Sequence, residues 1–187
     1  MNKGLGFLLA IVAVVVVIVA LLGGSYNNLV GLEEKVDKEA SNVSVMLERR
    51  ADLIPNLVNT VKGYVKHEEG VIKAITEARE KLLNASTIEE KSKANNELRN
   101  AINALMVIVE NYPDLKANEN FINLSDELAG TENRIANART TYNEAVEDYN
   151  SAVKKFPTNI LANMFGFEEK DYFEIEESKK DVPKVEF

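Results

Sequence analysis

A spacing of seven runs through the C-terminal half of the chain. Phe121, Leu128, Ile135, Tyr142, Tyr149 and Phe156 are seven residues apart throughout, and Leu124, Thr131, Ala138, Ala145 and Ala152 form a companion row. Two rows at this spacing lie on one stripe of an α-helix, with large side chains in one row and mostly small ones in the other. Such a stripe is best buried against another helix at close approach. The pattern recurs upstream, with Leu29, Val36, Val43, Leu57 and Tyr64 in one row and Ala40, Leu47, Ile54 and Val61 in the second. Strand signals are few. The spacing predicts an all-α fold, a long antiparallel helical bundle.

Prolines and turn residues divide the helices. Pro55 interrupts the first; proline has no amide hydrogen and crowds the preceding turn, so a kink or break is expected near Asp52–Ile54, with the register reset beyond it. His67-Glu68-Glu69-Gly70 reads as a turn. The next segment carries Ile72, Ile75, Ala78 and Leu82 on one face. Thr87 and Glu90 match a capping box, which opens a stripe of Ala94, Leu98, Ala101, Ile102, Leu105, Ile108 and Tyr112. Pro113 ends that stripe and Pro157 the last one.

Segments 26–66, 70–111 and 117–156 are each about 40 residues, or roughly 60 Å of helix. Their equal lengths favour three rods, with Ser86-Thr87 a kink in the middle one; a reversal there gives four. The expected domain is therefore a bundle of three to four helices over 25–157. In the three-rod arrangement residues 55–70 share an end with Asn150–Phe156, and Asn111–Ala117 lies near the membrane. The tail 158–187 holds Ile160, Leu161, Met164, Phe165, Phe167, Tyr172 and Phe173. So many large apolar groups are expected to dock on the bundle.

Ahead of the bundle, residues 5–22 read LGFLLAIVAVVVVIVALL, with no polar side chain. As a helix, 4–24 is about 30 Å long, which matches a bilayer's hydrocarbon core. A cleaved signal has a shorter apolar region, about 7–15 residues, and Leu22-Gly23-Gly24 is a mediocre cleavage site. Residues 1–24 are expected to be one retained transmembrane helix that places the chain in the cell membrane, with residues 4–24 in the lipid. Lys3 on one side and Lys35 and Lys38 on the other are too evenly balanced to orient it. The chain has no cysteine, which excludes disulfides and thiolate chemistry. Its net charge is −8, with no basic cluster beyond Arg49-Arg50. That balance argues against nucleic acid and against attraction to anionic headgroups.

Polar residues concentrate in 47–68, LERRADLIPNLVNTVKGYVKHE. Arg49, Arg50, Asp52, Asn56, Lys62 and His67 are the groups there that bind anions or carry protons. Yet His67 has no cysteine or second histidine to complete a common zinc site, and Glu68 beside it reads as a helix-end charge. No metal ligand, cofactor site or catalytic residue is assigned. Arg50 continues the row Leu29, Val36, Val43, so its guanidinium falls on the seam and needs a partner; Asp52, Glu132 and Glu147 are candidates. Asn56 is placed to satisfy backbone groups freed by Pro55. Glu119, Asp126 and Glu144 are scattered acids on a solvated helix. Lys154-Lys155 complement a helix dipole.

Four stretches together resemble one family, the LemA family of membrane-anchored helical proteins: residues 47–68, ENYPDLKANENF (110–121), GTENRIANARTTYNEAVEDYN (130–150) and FPTNILANMFGF (156–167). The similarity extends to YNNLVGLEEKVD after the anchor. It departs at Ser41-Asn42, where the family commonly has a tryptophan. The resemblance implies a helical bundle on a membrane stalk and implies no activity. Glu132, Asn133 and Arg134, in the third stretch, join Arg49, Arg50, Asp52, Asn56, Lys62, His67 and Glu68 as candidate partner-binding residues or polar struts. The expected role is a non-enzymatic scaffold or adaptor that binds a protein partner through the membrane-distal end, with no small-molecule substrate. The alternatives are self-association into a structural array, or a histidine phosphocarrier centred on Arg49, Arg50 and His67.

Overall fold

The two-row patterns fold into helices. The computed structural model describes residues 3–65 and 68–174; within them, the side chains of residues 3, 6, 10, 15, 18 and 21 are not described. Helices α1 (Lys3–Lys62), α2 (Glu69–Asn84), α3 (Ile88–Val109), α4 (Pro113–Lys116), α5 (Glu119–Lys154) and α6 (Thr158–Phe165) follow in order. Among the described residues there is no strand.

Pro55 does not break α1. Its ring is exposed, and Leu57 two residues on is fully buried. Leu29, Val36, Val43, Arg50 and Leu57 therefore form one unbroken buried row, so the register passes through the proline instead of resetting. What the proline removes is the donor for the carbonyl of Ala51, four residues earlier. Arg79 of α2 replaces it: its Nε donates to the Ala51 oxygen at 2.7 Å. Asn56, expected in that role, is exposed, and its carbonyl instead accepts from Thr60 Oγ1.

The middle segment reverses and does not merely kink. Ala85 and Thr87 are both extended, so no helix spans them. Thr87 Oγ1 accepts from the Glu90 amide at 3.1 Å, and Glu90 Oε2 accepts from the Thr87 amide at 3.1 Å, which completes the capping box. An N-cap needs extended backbone, so the same motif that starts α3 ends any continuation of α2. The two helices pack side by side, with Lys81 Nζ 2.6 Å from Glu97 Oε2. At the next connection Asn118 Oδ1 accepts from the Phe121 amide at 3.1 Å and starts α5.

The chain divides into two compact units, Met1–Glu39 with Asn143–Lys170, and Ala40–Tyr142 with Asp171–Phe187. The division falls inside the segment 25–157 that the sequence presents as one bundle. In the first unit Leu29 and Val36 of α1, Ala145, Val146 and Tyr149 of α5, and Leu161 and Ala162 of α6 are buried. Asn150 clamps the chain after α6 with its amide: Nδ2 donates to the Lys170 carbonyl and Oδ1 accepts from the Lys170 amide, both at 2.9 Å. Lys170 Nζ meets Glu33 at 2.8 Å and Lys35 meets Asp148 at 3.0 Å.

The second unit is an up-down-up-down arrangement of the later part of α1, α2, α3 and the earlier part of α5. Leu47, Ile54, Ile75, Leu82, Leu98, Leu105, Leu128 and Ile135 are among its buried side chains. Phe173 is buried too, held by backbone contacts on either side of it: Tyr142 donates to the Asp171 carbonyl at 2.7 Å and Ser92 to that of Glu174 at 3.0 Å. Four passes put the end of α1 beside the start of α5. Tyr64 accepts from Asn118 Nδ2 at 2.9 Å, so residues 55–65 share an end with Asn118, whereas Asn150–Phe156 belongs to the other unit. The segment Asn111–Ala117 leads directly into Asn118 and belongs to that same end.

The C-terminal members of both rows of large residues leave the core. Tyr64 lies past the end of α1 and is exposed. Phe156 lies past the end of α5 and is 80% exposed. Counted over the described residues, no helix is long and apolar enough to cross a membrane. The apolar run 5–22 lies in α1, with the side chains of residues 6, 10, 15, 18 and 21 outside that count.

Candidate functional site

Arg50 is the polar centre of the second unit. The row that carries it buries every member, so its guanidinium is only 4% exposed. A buried cation requires acceptors. Glu132 of α5 supplies a charged one, 2.6 Å from Nη1, and Asn95 of α3 a neutral one at 2.9 Å. Nε has no hydrogen-bond partner among the described residues. Burial pulls the Arg50 pKa below the ordinary arginine value; Glu132 opposes that shift, and Arg99 adds to it. Arg50 thus ties α1, α3 and α5 together at one level.

Beside this hub a groove of about 540 Å³ is lined by Arg50, Arg99, Asn103, Ser125, Asp126 and Glu132, with apolar groups between them. Two positive and two negative side chains face it, so their formal charges cancel. Arg50 itself is committed to Glu132 and Asn95, which makes it a strut across three helices.

A second groove lies where α1 ends and α5 begins. Asn56, Asn59 and Thr60 line one wall and Asn120, Asn123 and Glu127 the other, around about 470 Å³. Each asparagine amide presents donors and an acceptor at once. Tyr64, fixed by Asn118, stands at the same end.

The structure separates the candidate residues read from the sequence. Arg50 and Glu132 meet. Arg49, Asp52, Asn56, Lys62, Asn133 and Arg134 are exposed, and Glu68 is half-buried. His67 lies outside the described residues. Of the three carboxylates considered for Arg50, Glu132 is the one in contact. Sequence reasoning missed Asn95, Arg79, Asn120 and Asn123. The pair Asn95-Asn96 inside the apolar stripe of α3 was a visible signal, since both are buried there; nothing local marked Arg79. Among the described residues no group of three or more histidine, aspartate or glutamate side chains could hold a metal ion.

Comparison with known proteins matches residues 39–187 to the LemA family. Magnetosome protein MamQ 2 of Paramagnetospirillum magneticum is 29% identical over 195 residues, covering 90% of this chain and 71% of that protein. Magnetosome protein MamQ of Magnetospirillum gryphiswaldense is 28% identical, covering 79% of this chain and 64% of its own length. Protein LemA of Metamycoplasma hominis is 28% identical over 144 residues, covering 74% of this chain and 64% of that protein.

Proposed function

The chain belongs to the LemA family, and from that premise we propose that it is a membrane-anchored helical scaffold without enzymatic activity. Residues 4–24 anchor it in the cell membrane as a single pass; the support is the uninterrupted apolar run 5–22 at the start of α1. A protein partner docks at the end of the second unit where α1 stops. The observation that carries this is the groove formed by Asn56, Asn59, Thr60, Asn120, Asn123 and Glu127. Its walls are two helices cross-braced by Arg50, so the amides are presented on rigid elements, and exposed Tyr64 supplies an aromatic anchor of the kind found at interface centres. The names of the relatives carry no reaction.

A photo-crosslinking residue at Asn59 or Asn123 of the full chain, in the living cell, tests the reading. A foreign protein captured at both sites, and lost when Glu127→Lys is added, supports it. Capture of this chain alone supports the alternative, self-association. Equal capture from exposed Thr141, or capture indifferent to Glu127→Lys, refutes the docking site.

A further inference from the structure

Helix α6 buries only part of its apolar surface. Leu161 and Ala162 turn inward. Ile160 is 56%, Met164 64% and Phe165 57% exposed, and Phe156 ahead of them is exposed as well. Ile160 and Met164 are four residues apart on α6 and share one face of it. Gly166 adopts the left-handed conformation that ends the helix, and the Phe167 amide returns to the Ala162 carbonyl at 2.9 Å. That turn brings Phe167 back beside Phe165. Both rings meet Tyr26 edge-on, at centroid distances of 5.0 and 5.7 Å.

Tyr26 fixes where this patch lies along α1. It is four residues past Leu22, the end of the apolar run, on the same unbroken helix. Four helical residues advance about 6 Å. The Phe165 end of α6 therefore sits about one turn beyond the apolar run. No charged residue occurs from Phe156 to Phe167. The adjoining Lys154 is paired with Glu169 at 2.6 Å.

We propose that Phe156, Ile160, Met164 and Phe165 insert into the headgroup region of the same bilayer that residues 4–24 cross, making α6 an interfacial foot of the first unit. The inference rests on the anchor reading given above. A contiguous exposed apolar patch on a soluble unit marks an interaction site. Its continuity with the apolar run, and its ring of Tyr26, Phe165 and Phe167 at the run's end, identify the occupant as lipid, since aromatic side chains concentrate at that depth. Interfacial helices bury their apolar faces about 5–10 Å into this layer. With no cationic cluster in the segment, insertion is apolar and insensitive to salt. The foot also restrains how α1 leaves the membrane, because it adds a second contact beside the first.

The chain has no cysteine, so single nitroxide labels can be placed on the full chain in phosphatidylcholine vesicles. Labels at Ile160→Cys and Met164→Cys are expected to collide with oxygen in preference to a water-soluble nickel chelate, to a degree between that of Val14→Cys and that of Thr60→Cys, unchanged in high salt. All these side chains are exposed or half-buried, so the labels leave the packing intact. Water-like values at 160 and 164 with a deep Val14→Cys label overturn the foot and leave the anchor standing. Low access to both reagents at 160 and 164, with broadening between labels, overturns it in favour of a second copy. A water-like Val14→Cys label overturns the anchor and the foot with it.

Discussion

Replacing Glu132 by glutamine removes the carboxylate that pairs with the buried Arg50 guanidinium while keeping an acceptor in place. Breaking a fully buried pair by removing one partner costs about 3–5 kcal/mol. Here Glu132 is itself 37% exposed, and water screens and partly replaces it, so the expected loss is about 2 kcal/mol. For a chain of this size that lowers the thermal midpoint by about 4–8 °C. Arg50→Met has the opposite logic: it deletes the desolvated cation and leaves the exposed side of Glu132 to water. A hydrophobic side chain of similar volume is expected to be neutral within about 1 kcal/mol. In the Arg50→Met background, Glu132→Gln should cost almost nothing, because the charge it served is gone. Thermal unfolding of the full chain in detergent, followed by the helical circular dichroism signal, gives all four corners of the cycle. Additive losses, or an Arg50→Met variant as unstable as Glu132→Gln, refute the reasoning that Glu132 acts by compensating this charge.

Arg79→Ala should cost about 1–3 kcal/mol by orphaning the Ala51 carbonyl, and clearly less in a Pro55→Ala background, where the restored amide takes the carbonyl back; equal losses in both backgrounds would remove Arg79 from that role. Thr87→Ala should cost about 1 kcal/mol through the lost cap. Glu90 adds a pH dependence: the Ser86 and Thr87 amides hold its carboxyl below the ordinary value of 4.5, so its stabilisation is present above that value and fades as the pH falls through the lower folded one. Glu90→Gln should flatten that part of the midpoint-against-pH curve, and an unchanged curve counts against it. Asn150→Ala loses both bonds to Lys170 and should cost about 2 kcal/mol, with the Lys170 amide exchanging its hydrogen faster than before.

The rows of seven, the capping box and the family are legible in residues 26–167, because each depends on neighbours within a turn or two of helix. Amphipathic periodicity says which face is buried, and a threonine with a glutamate three residues on says where a helix starts. The sequence also placed a guanidinium on the seam at Arg50. It could not say that the bundle reverses at Ser86: equal segment lengths favour three rods with a kink there. Nor could it say that Pro55 is harmless. That outcome depends on Arg79, 28 residues away, as Arg50 depends on Glu132, 82 residues away. Such pairs form only when whole helices settle into register, and many alternative registers satisfy the same local pattern. The groove between Asn56 and Asn123, and the exposure of Phe156 beyond the last turn of its helix, follow from that packing. Local hydrogen bonding determines the elements of this protein; side-chain packing between distant segments determines which polar groups are braced in the core and which are left facing outward.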